Sequence, residues 1–105
     1  MYEEAGLGEL VKLPAPVAGA DPAWHLYVVR HERADELVAG LNEAGVEARA
    51  YYRVPVHKQP SMKEFGDVDL PGTEEAARTN LALPMGTGLQ ESQVDQVINT
   101  LRSLC

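Results

Sequence analysis

Apolar and polar residues alternate along this chain with two different periods. From Val46 to Val54 the period is two. Val46, Ala48, Ala50, Tyr52 and Val54 fall on one side, and Glu47, Arg49, Tyr51 and Arg53 on the other. That pattern predicts a half-buried strand, ended by Pro55, which has no N–H to give to a ladder. Trp24-His25-Leu26-Tyr27-Val28-Val29-Arg30 is β-branched and aromatic and reads as another strand. Leu81-Ala82-Leu83 is a third, short one, stopped by Pro84.

Elsewhere the period is helical. Ala34, Leu37, Val38, Leu41 and Ala44 share a face, and Gly45 stands where a left-handed cap is wanted. The spacing predicts a helix from about Ala34 to Ala44. Thr73 is positioned to cap a second helix through Asn80, with Glu74 and Glu75 in its positive first turn. The clearest stripe is Val94, Val97, Ile98, Leu101 and Leu104, with Gln, Asp and Asn opposite.

Two stretches lack either period. Residues 1–22 mix Pro14, Pro16 and Pro22 with glycines and alanines and read as an irregular lead-in or linker, with one extended piece at Leu10–Leu13. Residues 55–72 carry three prolines and two glycines and read as a long loop, with a turn of helix near Met62–Phe65. The ordered domain is then 23–105. Its class is α/β of the α+β type, a small mixed or antiparallel sheet packed with about three helices.

Composition narrows the function classes. The chain has 105 residues, enough for one domain with a small core. Nine Lys plus Arg face sixteen Asp plus Glu, a formal net charge of −7. Such a chain repels phosphate backbones and anionic lipid, so neither nucleic acid nor a membrane surface is an expected partner. The acidic start lacks an apolar stretch, and the one cysteine, Cys105, forms no internal disulfide framework. A reducing cytoplasm is the expected compartment.

Candidate chemistry is sparse. Val54-Pro55-Val56-His57-Lys58-Gln59-Pro60 mounts an imidazole, an ammonium and an amide just after a strand, where binding groups are often placed. His57 could donate to an anionic ligand or carry a proton near neutral pH, or be an ordinary loop histidine. Tyr52 shares its face with alanines and valines and is expected to pack into the core with its hydroxyl at the rim. Tyr51 shares a face with Arg49 and Arg53, basic and aromatic; that face suits an anionic ligand, solvent or another domain equally. His25 reads as a partly solvated strand residue and His31 as a solvated one. The three histidines lack zinc-site spacing, so no metal is expected. Cys105 has no histidine near it in sequence to activate it. Leu83–Gly88 contains GxG but no phosphate-loop pattern. Lys12, Lys58 and Lys63 all lie in irregular segments, with no buried setting that would favour imine chemistry.

The order of these pieces resembles a known family. Trp24–Arg30 resembles an HLYVVR strand, and Leu41–Val46 (LNEAGV) is similar to a helix end of the form L-x-x-x-G-I. Tyr52–Pro60 resembles Y-P-x-P-x-H-x-Q-P, Leu70–Glu74 resembles F-P-x-x-E, Leu81–Met85 resembles L-S-L-P-M, and Gln93–Ile98 resembles Q-V-D-x-V-I. Together, from about Tyr2 to the end, these resemble the C-terminal part of the DegT/DnrJ/EryC1/StrS sugar aminotransferases. Those are fold type I enzymes dependent on pyridoxal phosphate (PLP).

The resemblance implies a parent enzyme that moves an amino group, typically from glutamate, to a keto group on a nucleotide-linked sugar. In the family the PLP lysine, the partner of the pyridine nitrogen and most phosphate contacts lie in the large N-terminal domain. No part of this chain resembles that domain. The chain is then the small domain alone, with no catalytic residue and no bound PLP of its own, from a parent expected to be a homodimer. The family's "P-x-H" histidine falls on His57 and its tyrosine on Tyr52; these face the active site, with Tyr51 and Lys58 beside them. Two departures bear on sugar specificity: Tyr51 stands where the family often has His, and Arg53 where it often has Pro. The alternative is a free-standing ligand-binding or regulatory module. A piece of a larger body should expose an apolar patch and hold its lead-in loosely.

Overall fold

The computed structural model describes residues 1–105. Three α-helices, α1 (Ala34–Glu43), α2 (Pro71–Thr79) and α3 (Glu91–Leu104), pack with an antiparallel two-stranded sheet, β1 (Tyr27–Arg30) and β2 (Asn80–Leu83). Val29 lies opposite Leu81 in the register. The α/β class with its small antiparallel sheet and three helices is as the patterning predicts.

Local chemistry explains most boundaries. Helix α1 ends where Gly45 takes φ +85°, and the N–H groups of Gly45 and Val46 return to the carbonyls of Asn42 and Leu41 at 3.1 and 2.8 Å. This is the left-handed cap that the glycine forecast. Helix α3 starts with a reciprocal box: the Gln90 N–H donates to Gln93 Oε1 at 2.8 Å, and the Gln90 side chain accepts from the Gln93 backbone. Helix α2 departs from expectation. It starts at Pro71, two residues before Thr73, because proline's fixed φ and absent N–H suit a first helical position. It also stops at Thr79, and Asn80 already opens β2.

The predicted strand Val46–Val54 does not form. Only Arg49 pairs with β2, exchanging backbone hydrogen bonds with Ala82. Val46 and Ala48 are buried and Glu47 exposed as the alternation requires, but the phase slips beyond Ala50. Tyr51 and Arg53 turn inward, and Tyr52 and Val54 turn out. The cause is a side chain: Asn80 Oδ1 accepts the Tyr51 N–H at 2.7 Å, taking the donor that a ladder needs. The first strand is also shorter than predicted. Trp24 sits at φ +52°, which a strand excludes, so β1 begins at Tyr27.

The lead-in is not loose throughout. Tyr2, Leu7 and Val11 belong to a fifteen-residue core with Val29, Leu37, Leu41, Leu81, Val94, Ile98 and Leu101. Lys12 exchanges backbone hydrogen bonds with Arg30 on the outer edge of β1, at 2.9 and 3.0 Å. Apolar residues spaced four to five apart, Tyr2, Leu7 and Val11, outweigh the local glycines by burial. Only residues 15–21 of the lead-in are exposed along their whole length.

The loop at 55–72 holds two 3-10 turns, Val56–Lys58 and Pro60–Phe65, the second covering the expected turn. No helix is long and apolar enough to cross a membrane.

Candidate functional site

The segment Ala48–Arg53 is held along its length by side-chain hydrogen bonds. At its start the Asn42 amide holds Ala48, with Nδ2 donating to the Ala48 carbonyl at 2.9 Å and Oδ1 accepting its N–H at 3.2 Å. Asn80 then holds Tyr51, while its own Nδ2 donates to the Ala76 carbonyl at 2.9 Å. Arg53 folds beneath the loop. Its Nη1 donates to the carbonyls of Ala77 and Asn80 at 2.9 and 2.7 Å, and its Nε donates to Asp35 on α1. A guanidinium at the end of α2 satisfies carbonyls left free by the helix and matches its negative pole. Arg53 Nη2 is buried without a partner.

This framework leaves the neighbouring side chains facing a cleft of about 510 Å³. Tyr51, Tyr52, Val54, Val56 and Gln59 form one wall, and Val28, Arg30, Thr73, Ala76 and Asn80 the other. The two tyrosine rings meet edge to face, with centroids 5.5 Å apart. Tyr52 is 68% exposed, so the expectation that it packs in the core fails. The phase slip that brings Arg53 inward sends Tyr52 out. Arg30 is the one charged side chain in the cleft; its Nε donates to Thr79 Oγ1 at 3.1 Å.

The basic, aromatic face expected around Tyr51 is divided. Arg53 is spent on α2 and Asp35. Arg49 is exposed and paired with Glu47 at 2.8 Å. Arg49 and Tyr51 do share a second cleft, of about 560 Å³, with His25 and Gln93 on its rim. Tyr51 therefore divides two clefts.

His57 and Lys58 are not brought to the tyrosines' cleft. The His57 side chain is 10% exposed, and its Nε2 is buried without a hydrogen-bond partner, 4.0 Å from Glu74 Oε1 on α2. Lys58 Nζ lies 3.8 Å from the same oxygen. Sequence spacing cannot reveal this cluster, since Glu74 follows His57 by seventeen residues across two turns and a loop.

No histidine lies near Cys105 in sequence, yet the fold brings His31 Nε2 to 4.0 Å from its Sγ. His31 Nδ1 accepts the Arg33 N–H at 2.9 Å. No three His, Cys, Asp or Glu side chains are grouped as metal ligands would be.

Other titratable groups stiffen the frame. The Tyr2 hydroxyl donates to the Pro84 carbonyl, and burial, with Tyr27 beside it, pushes its pKa up to about 12. Burial also raises Tyr27, which stacks on Tyr2 at 5.1 Å. Glu32 is held below the usual carboxylate range by its hydrogen bond to Arg78, at 2.7 Å.

Whether these residues could hold PLP by themselves is a question of donors. Lys12, Lys58 and Lys63 are all exposed. None of them lines the tyrosines' cleft, and no carboxylate does. The tyrosines' cleft thus offers neither an amine for an imine nor an acid for a pyridine nitrogen, and its lining does not fit a complete PLP site.

Comparison with known proteins supplies the context. A sequence profile of the DegT/DnrJ/EryC1/StrS aminotransferase family matches residues 3–102. A dTDP-3-amino-3,4,6-trideoxy-alpha-D-glucose transaminase of Streptomyces venezuelae is 38% identical over 94 residues, covering 88% of this chain and 25% of its own. The crystal structure of a DegT DnrJ EryC1 StrS aminotransferase from Brucella abortus superimposes with a TM-score of 0.87 at 35% identity, over 97% of this chain and 28% of that one. DesV of S. venezuelae, solved in complex with a ketimine intermediate, gives 0.82 at 37% identity, over 94% and 28%. The chain thus spans about a quarter of the length of the relatives it matches. By the extent of the profile, the identities and the fold, this chain belongs to the PLP-dependent DegT/DnrJ/EryC1/StrS aminotransferase family.

Proposed function

We propose that this chain is the C-terminal small domain of a sugar aminotransferase, acting on a keto sugar linked to a nucleotide, with glutamate as the expected amino donor. The observation that carries this reading is one of proportion: nearly the whole chain matches, and it matches about a quarter of each relative. The rest of the parent supplies the large domain, the imine lysine and the PLP site, and the parent is a homodimer. When bound there, PLP supplies the electron sink for amino transfer.

In this reading the chain's own residues shape and close the site. Tyr52 and Tyr51 present flat, hydroxyl-tipped surfaces suited to stacking and hydrogen bonding with a sugar nucleotide. Val54 and Val56 exclude water at the rim. Arg30, whose Nη2 lies 3.7 Å from Glu75 Oε1, is the one cation lining this cleft. His57 and Lys58 lie behind this wall and support its loop. The exposed apolar run Tyr52, Val54, Val56, Phe65, Val68 and Leu70 supports contact with a missing large domain.

The chain mixed with PLP is expected to show no imine absorbance that survives desalting and no amino transfer. A stoichiometric adduct followed by transfer would overturn the reading. Continuous upstream coding sequence with a Ser-x-x-x-Lys segment is expected; tight, specific binding of a small ligand by the isolated chain would favour a free-standing module instead.

A further inference from the structure

His57 is nine-tenths buried, and its Nε2 has no hydrogen-bond partner. A buried polar nitrogen left unpaired is costly, and the group facing it is informative. That group is the Glu74 carboxylate, 4.0 Å away in the first turn of α2. Glu74 also faces Lys58, at 3.8 Å, and Lys58 Nζ lies 3.5 Å from the Gly66 carbonyl. Gly66 fits tightly here, since a Cβ on it would stand 3.3 Å from the carbonyl oxygens of His57 and Lys63. The cleft beside Glu74 and Lys58 is also lined by Asp35, Arg53 and Arg78. Asp35 is taken by Arg53, and Arg78 by Glu32, so Glu74 is left to His57 and Lys58. Lys63 and Glu64, on the second 3-10 turn, are exposed and make no ion pair with His57.

We infer that His57 is a positioning residue, a proton-operated latch between the loop Pro55–Gly66 and the start of α2. A neutral imidazole leaves the Nε2 contact to Glu74 long. A protonated one sets a cation against the carboxylate, and a shift of about 1 Å closes a charge-assisted hydrogen bond. Apart from the Lys58–Glu74 pair, the loop has little else to hold it to α2. Its two 3-10 turns bond within themselves, through the N–H groups of Lys58, Gln59, Met62 and Gly66. Val56 and Phe65 are only partly buried, being 67% and 53% exposed. Because this loop carries Val56 and Gln59 on the rim of the tyrosines' cleft, its closure sets how firmly that rim is held. The sign follows from the charge: a proton gained by the imidazole makes the latch, and its loss releases it.

The test is amide hydrogen exchange of the whole chain at pH 5 and pH 8, corrected for intrinsic rates, read at Lys58, Gln59, Met62 and Gly66. Protection is expected to be about two- to fivefold higher at pH 5, the size of a partly exposed ion pair. Glu74→Gln is expected to abolish the difference without unfolding the chain. Lys58→Met, which leaves Glu74 to His57 alone, is expected to keep it. Equal protection at both pH values in the wild type would overturn the latch. So would a pH difference that survives Glu74→Gln, or one that disappears with Lys58→Met.

Discussion

The two halves of this small molecule treat their apolar residues in opposite ways. Around α1, α3 and the sheet, Leu7, Val29, Leu41, Leu81 and Leu101 have no exposed surface. Along the segment from Tyr52 to Leu70, six large apolar side chains are between 37% and 68% exposed. Both halves are ordered by backbone and side-chain hydrogen bonds, so the contrast is not one of structure against disorder. The first half is held by burial. The second is held by polar clamps, Asn80, Arg53 and the Glu74 cluster, which leave its apolar side chains facing outward. A loop built in that way keeps its shape without spending its apolar surface, and that surface remains free for a partner or ligand.

Substitutions can break this contrast or sharpen it. The largest effect is expected at Leu101→Ala, in the buried stripe of α3: about 2–5 kcal/mol lost in chemical denaturation, from burial and the cavity left behind. A loss below about 1 kcal/mol would mean that this half is loosely packed.

Tyr2→Phe is expected to cost about 0.5–1.5 kcal/mol, through the bond to the Pro84 carbonyl. It also changes the alkaline limb. With its folded pKa raised to about 12, Tyr2 contributes stability that is complete below pH 10 and lost as pH rises through 12. The variant should therefore lose less stability than the wild type between those values; an unchanged slope would place the Tyr2 hydroxyl in solvent.

Val56→Ser, on the open half, is expected to change stability by no more than about 0.5 kcal/mol, because the side chain is already 67% exposed. A loss as large as that of Leu101→Ala would erase the distinction between the halves.

The sequence makes the first half legible and the second only in part. The stripe of α3 and the cap at Gly45 are local signals, decided by residues three or four apart, and both stand in the structure. The fate of Val46–Val54 is decided at a distance. Its alternation is what a strand shows, but Asn80, almost thirty residues on, removes the donor that a ladder would use. The same event moves Tyr52 from the core to the surface and Arg53 from a sheet face to the end of α2. The lead-in is illegible for the opposite reason: its prolines and glycines mask the three core residues Tyr2, Leu7 and Val11. Among the candidate site residues, Tyr51 and Tyr52 do share a cleft. His57 and Lys58 meet Glu74 instead, a pairing that no short motif contains.

The single-residue bridges at Lys12 and Arg49 also bear on how this protein behaves in crowded solution. A two-stranded ribbon has two outer edges, each a row of free N–H and C=O groups able to recruit a strand from another molecule. Here Lys12 occupies the edge beside β1 and Arg49 the edge beside β2, each through one backbone pair. Both neighbours then turn away, and each puts a cation at the margin. So narrow a cover gives the sheet no further ladder, yet it leaves no long free edge on which cross-β aggregation could begin.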